Sequence, residues 1–307
     1  MDVPMPRAQD AQERPAQRED VRESPPSLQP RGDAGDGWEA RLELGFRARG
    51  ARTLLAHRLH SGPLQVQRPF YPDGERACNV YILHPPGGVV GGDSLTISAT
   101  VECGAHALLT TPAAGKLYRS DGANAQLMQE LKVADGAWLE WLPQETIAFD
   151  GARASSETRV TLTGTAGFIG WEILCLGRPA ADEIYAHGAF IQRFDIWRDG
   201  APLWWERNAL VGGAPLLHAP WGLAGRSVVA TLVAVGRAPS ALPALRELLN
   251  AQSGDGEFAV SQLRDVLVCR YLGGSAEQAR AGFTAAWRLL RPALWGIEAV
   301  VPRIWAT

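Results

Sequence analysis

The most regular feature of the chain is an alternation of apolar and polar positions with a period of two. Between Ser94 and Val101, Leu95, Ile97, Ala99 and Val101 take turns with Ser94, Thr96, Ser98 and Thr100. A strand sends successive side chains to opposite faces, so this stretch predicts a strand with one buried and one wet face. AQLMQELKV at 125–133 reads the same way, with Leu127, Leu131 and Val133 opposite Gln126, Glu130 and Lys132. The ADG at 134–136 predicts a turn into a second strand over 137–142. Further strands are expected at 157–163 and 190–197 and, after the RDG at 198–200, at 202–206. The pattern predicts a mainly β protein of half-buried antiparallel strands joined by glycine-containing turns.

Helical spacing appears late. LPALRELLNA at 242–251 predicts one helix. Ser275 followed by Gln278 resembles a capping box, and Ala279, Phe283, Trp287 and Leu290 then form a helical stripe that Pro292 is expected to stop. No repeat of fixed period is present, so a regular solenoid is not indicated. Residues 1–37 form a polar, proline-rich leader with too little apolar surface to offset ordering, and disorder is expected there. A folded body is expected from Trp38 onward.

Composition narrows the function classes. The 307 residues are 46% hydrophobic and 21% charged, with 30 basic against 33 acidic side chains. That balance excludes a general binder of nucleic acid or acidic membrane, which needs a basic excess. The cysteines at 78, 103, 175 and 269 form no CxxC pair. The longest uncharged run, 208–225, holds four glycines and two prolines, which rules out a membrane-spanning helix there. Free thiols and a charged N-terminus without a signal-type apolar run lead to the expectation of a cytoplasmic protein.

Several catalytic signatures are missing. TTPAAGKLY contains a Gly-Lys pair, but a phosphate-cradling loop needs glycine where Thr110 stands and Ser or Thr where Leu117 stands. GGVVGGD lacks the GxGxxG spacing, and neither GxSxG nor HExxH occurs. His57 and His60 lie three apart in a strand-like stretch. Glu140, Glu145, Asp150 and Glu172 sit among large apolar side chains, where a lone charge is costly. Two readings are open: ion pairs with the many arginines, or a polar lining for a water-filled passage. Glu145 and Glu172 could also imitate a glycosidase acid pair, which makes a β-rich glycan hydrolase the alternative function. Trp204, Trp205 and Trp221 beside glycine and proline loops are candidate binding anchors.

Six collinear segments resemble the urease accessory protein family UreD, also called UreH. They are GPLQVQRPFYPDG at 62–74, CNVYILHPPGGVVGGD at 78–93, TTPAAGKLYRS at 110–120, WLEWLPQETIAFDGA at 138–152, FIGWEILCLGRPA at 168–180 and PRIWAT at 302–307. The resemblance implies one β-rich domain over 38–307, two sheets in a helicoid arrangement with a few C-terminal α-helices. It implies no enzymatic activity and no permanently bound cofactor, with nickel only in transit. Implied partners are apo-urease, UreF and the GTPase UreG, which would carry out GTP hydrolysis, with no nucleic acid or membrane involved. An internal nickel passage is implied as well, with Glu140, Glu145, Glu172, Asp93 and Cys78 as candidate lining. His84, Lys116, Tyr118, Arg119, Trp204, Trp205, Arg303 and Trp305 are candidate partner-binding residues. The family commonly has a histidine where Asn79 stands, and an amide is a far poorer nickel ligand than imidazole. Ala114 and Leu117 also depart from the usual residues, a change of packing only.

Overall fold

The computed structural model describes residues 37–236, 241–252 and 254–306, together with Met1. Apart from Met1 and Gly37, the leader over 1–37 lies outside the described residues. The chain opens with β1 (Glu39–Arg49), β2 (Arg52–Ser61), β3 (Gln65–Val66), β4 (Ala77–Leu83), β5 (Ser94–Val101) and β6 (His106–Thr110). It continues with β7 (Gly115–Leu117), β8 (Ala125–Val133), β9 (Trp138–Leu142), β10 (Thr146–Ala148), β11 (Arg153–Leu162) and β12 (Gly167–Leu176). Next come β13 (Ala189–Arg198), β14 (Ala201–Val211), the short helix α1 (Pro215–His218) and β15 (Val228–Val235). Helix α2 (Ala241–Asn250), β16 (Glu257–Leu263), β17 (Val266–Gly273) and helix α3 (Ala276–Trp295) complete the elements used below.

Two sheets result. The outer sheet runs β14-β13-β11-β8-β5-β1-β2, and the central sheet runs β16-β17-β15-β12-β9-β6-β4-β3, with β10 beside β12 and β7 beside β10. From β4 to β13 the chain alternates between them, and successive strands within each sheet are parallel. This corrects the expected antiparallel meander. The ADG at 134–136 is a corner from β8 in one sheet to β9 in the other, not a hairpin. The Ala137 N–H bonds Ala134 O at 3.0 Å, and Gly136 takes φ +67°. The predicted turn at 198–200 does close an antiparallel hairpin, β13–β14.

Burial explains the corner. β8 is alternately buried and open, whereas four of the five residues of β9 are buried and the fifth is partly so. A strand apolar on both faces needs cover on both, which a one-sided hairpin cannot give it. The central sheet supplies that slot, between the outer sheet on one face and α2 and α3 on the other. The coils are unequal: Ser94 pairs with Gln126, Gln126 with Ser155 and Ser155 with Ile191, offsets of 32, 29 and 36 residues. A solenoid-like path therefore exists without a fixed sequence period.

Helix α3 begins as predicted, with Ser275 Oγ accepting from the Gln278 N–H at 3.1 Å. It does not stop at Pro292. The helix runs on to Trp295 and ends where Gly296, at φ +65°, donates its N–H to Pro292 O. Its stripe of Ala279, Phe283, Trp287 and Leu290 is fully buried against the central sheet. Phe283 packs near Trp171 of β12 and Phe258 of β16. Truncating such a ring leaves a cavity that the neighbouring strands cannot refill. Phe283→Ala is expected to lower stability by about 3–5 kcal/mol, read as a fall in the urea midpoint at unchanged slope.

Candidate functional site

The space between the sheets is not uniformly apolar. A cavity of about 280 Å³ lies there, entered beside Gly87, Gly88 and Lys116 and floored by Glu172, Thr158, Gln129 and Gln192. Register aligns these polar side chains. On the outer sheet Gln129 pairs with Thr158, Thr158 with Phe194 and Phe194 with Glu206, while Ser156, Gln192 and Asn208 form the adjoining row. On the central sheet Glu172 pairs with Thr231 and Thr231 with Arg270. Cross-strand neighbours on one face are within reach of one another, so a polar stripe crosses the core at right angles to the strands.

Hydrogen bonds make the stripe continuous. Thr158 Oγ1 donates to Glu172 Oε1 at 2.5 Å, and Gln192 Nε2 donates to Glu172 Oε2. Asn208 Nδ2 donates to Gln192 Oε1 at 2.9 Å. Thr231 Oγ1 and Arg270 Nη1 donate to Glu206 Oε1 at 3.0 and 3.1 Å. Burial pushes the Glu172 carboxyl up to about 7, against the two donated hydrogen bonds and with a further push from the Glu206 charge. Among the described residues, Trp141 Nε1 and His84 Nε2 on the cavity lining are buried without a protein partner, as expected of a wall open to water or ligand.

Of the passage residues predicted from sequence, Glu172 lines the cavity and the other glutamates do not. Glu140 follows the opposite face of the central sheet, toward α3. There it is sealed by His106 Nε2 at 2.6 Å, Arg291 Nε at 3.0 Å and the Trp287 indole N–H. Burial works against its charge, yet His106, Arg291 and the Trp287 bond outweigh it and hold the carboxyl below its ordinary pKa. Arg291 also pairs with Asp73, which accepts from Asn79 Nδ2 at 3.3 Å. Glu145 turns toward α3 as well, bonded to Arg280 at 2.6 Å, while its neighbours Gln144 and Thr146 face the cavity. The ion-pair reading holds for both.

Asp93 and Cys78 have local roles. Asp93 accepts from the Trp38 and Val90 N–H groups, each at 2.9 Å, and fastens the glycine-rich loop to the start of β1. Cys78 is fully buried in the core between the sheets, and burial raises its thiol pKa despite Tyr71, the Leu55 backbone and Arg52. Asp150 accepts from the Ala186 and His187 N–H groups and from His187 Nδ1 at 3.0 Å. The hydrolase alternative loses its geometry: Glu145 lies in an ion pair with α3 and does not share the cavity with Glu172. His57 sits in β2, as the strand-like pattern predicts, 3.6 Å from Glu43. Among the described residues, no three His, Cys, Asp or Glu side chains gather to hold a metal.

The partner-binding candidates scatter. His84 and Lys116 line the cavity mouth, and burial lowers the His84 pKa against the Asp93 charge. Tyr118 packs edge-on to Phe149, while Arg119 is exposed 3.6 Å from Asp150. Trp305 is anchored instead, its indole N–H donating to Thr110 Oγ1 at 2.8 Å and its ring against Trp171 and Trp287. Arg303 beside it is exposed. Trp204 lies under Arg270 at the edge of the core, and Trp205 is 57% exposed against Trp197.

Sequence reasoning missed Gln129, Thr158, Gln192, Asn208, Glu206 and Thr231. The signal was present: each polar residue occupies an apolar-face position of its strand, as Gln129 does between Leu127 and Leu131.

A native carboxyl with its pKa near 7, against an ordinary 4.5, binds its proton more tightly folded than unfolded. Stability is then undiminished below about 4.5 and is lost as pH rises toward 7. Glu172→Gln is expected to change stability little at pH 5 and to raise it by on the order of 1–3 kcal/mol at pH 8. Paired urea titrations at the two pH values check this.

The family model of the UreD urease accessory protein matches residues 39–306. A urease accessory protein UreD of Azoarcus sp. (strain BH72) is 50% identical over 276 residues, covering 89% of this chain and 96% of the relative. One from Dechloromonas aromatica (strain RCB) is 48% identical, covering 88% and 95%. The urease accessory protein UreD 2 of Brucella anthropi is 47% identical, covering 88% and 99%. With two parallel-coiled sheets and a match across nearly every described residue, the chain belongs to the UreD family of urease accessory proteins.

Proposed function

We propose that this protein delivers nickel to apo-urease without performing catalysis, acting in the cytoplasm as a scaffold and conduit between urease and its other accessory proteins. UreF and the GTPase UreG are the proposed partners, and GTP hydrolysis takes place on UreG. Membership of an accessory-protein family supports the non-enzymatic role.

The observation that carries the conduit is the polar stripe from the cavity to Arg270. Its groups are single carboxylates, amides and hydroxyls, without a sulfur or imidazole cluster. Nickel binds N and S ligands tightly, so such a cluster would retain it. Isolated oxygen ligands lower the cost of dehydrating the ion and still release it. Glu172 and Glu206 are the two charged stations of this route, with Gln192 and Asn208 between them.

Nickel-limited urease activation tests the reading. Omitting this chain from co-expression with urease and its accessory proteins is expected to leave urease short of nickel. Raising the crossing barrier by about 1.4 kcal/mol slows loading about tenfold. Glu172→Leu, or plugging the cavity with Ser156→Phe, is expected to do at least that while pull-down of apo-urease persists. Normal loading by both variants removes the conduit and leaves scaffolding. Glu145→Ala, away from the cavity, is expected to load nickel at the unaltered rate.

A further inference from the structure

The two sheets are not the same width. β14 ends the outer sheet, while the central sheet continues beneath it through β17 and β16. Register puts Thr231, Arg270 and Ala259 in one row of the central sheet, and Glu206 of β14 stands over the first two. Beyond that point nothing among the described residues covers the row. Ala259 and Ser261 are exposed, and Leu263 is 54% exposed. The opposite face of the same strands is closed by α2 and α3, with Val260, Leu267, Cys269 and Tyr271 buried there. Among the described residues, a ledge open over β16 and at Arg270 is therefore left beside the eleven-residue edge strand β14.

The two ion pairs beside this ledge are lopsided in exposure. Arg207, on the solvent face of β14, is bidentate to Asp195, and Arg270, on the ledge, pairs with Glu206. Both acids are buried, with side chains 4% and 6% exposed, while the arginines are 49% and 50% exposed. At these two pairs solvent meets guanidinium, with donors left over, because a guanidinium carries five N–H groups, while Glu257 is an exposed acid on the same face of β16 as Ala259. Trp204 Nε1 and Glu206 Oε2, at the same edge, are buried without partners. Exposed Trp205 stands beside Trp197 on the upper side.

We propose that the β14 edge and the β17–β16 ledge receive an extended acidic segment of a protein partner, which adds to the outer sheet as an eighth strand. Strand addition supplies affinity through main-chain hydrogen bonds and specificity through alternate side chains. Side chains of the added strand that point inward meet Arg270, Trp204 and Ala259; those pointing outward meet Trp205 and Arg207. A carboxylate reaching Arg270 competes with Glu206 for the guanidinium, so docking and the far end of the polar stripe are coupled. The coupling rests on the conduit reading; the docking itself does not.

The test uses the full chain assembled with purified apo-urease, UreF and UreG. Hydrogen exchange of alternate amides in 201–211 is expected to slow at least tenfold on assembly, with protection also at 257–263. Ala259→Glu adds a carboxylate beside Arg270 on an exposed position and is expected to weaken assembly at least tenfold, whereas Ala259→Lys leaves it intact. Unchanged exchange in 201–211 within an intact, nickel-loading assembly overturns the docking and leaves the proposed function standing. Equal affinity of the two Ala259 variants overturns it as well. Failure of any assembly to form sinks both.

Discussion

Strands buried on both faces have no wet side on which to place a charge, and the middle of the central sheet is built from such strands. Every other feature of the protein works around that constraint. Where the sheet does carry a charge toward α3, at Glu140, the carboxylate meets an imidazole, a guanidinium and an indole N–H at once. A buried charge is tolerable only when its lone pairs are filled in this way. Trp287 and Arg291 come from α3, while His106 and Glu140 come from the sheet, so the cluster pins the helix at one rotation and height. Trp138 and Trp295 stack over the same spot, 5.4 Å apart, with the His106 ring against both.

The other face of the sheet handles polarity differently. Between the sheets the polar side chains form a row and not a knot, and most are neutral. A satisfied row of amides and hydroxyls restricts the register of the strands that carry it, because a one-residue slip would send every member to the solvent face. Glu172 and Glu206 are the charged exceptions. One carboxyl is held near the neutral form by burial, and the other is paired with a half-exposed arginine. The face toward α3 is locked by charge, and the face toward the outer sheet borders a cavity.

How much of this the sequence disclosed follows from which signals are local. The alternation in 94–101 and 125–133 is a property of neighbouring residues, and both strands appear as read. Which strand pairs with which is not local. ADG at 134–136 and RDG at 198–200 look alike in sequence, yet one turns a corner and the other closes a hairpin. The discriminating feature was the two-sided burial of WLEWL against the one-sided AQLMQELKV. The same blindness affected the site. Glu140 stood out because it interrupts a fully apolar run, which marks a sealed ion pair as readily as a conduit. Gln129, Gln192 and Glu206 were harder to see, since each lies at one position on the apolar face of an alternating strand, far in sequence from the others. Only the sheet registers reveal that they are adjacent.

The position of Glu172 bears on how a conduit for a dication could work. Burial pushes the Glu172 carboxyl up to about 7, so a cation arriving in the proposed conduit would compete with a proton for it. In that proposed conduit, entry would become easier as pH rises, while holding would stay weak because the remaining hydrogen-bond neighbours, Thr158 and Gln192, are neutral. Glu206 at the next station is different, because Arg270 already occupies one oxygen. An ion moving forward would meet a guanidinium unless something outside the protein drew that guanidinium away. The ledge beside β14 is where such a group can reach it. In the proposed conduit, separating a poised inner carboxyl from an outer one paired with a half-exposed arginine would give the route a direction: filling would depend on the proton, and emptying on the proposed partner.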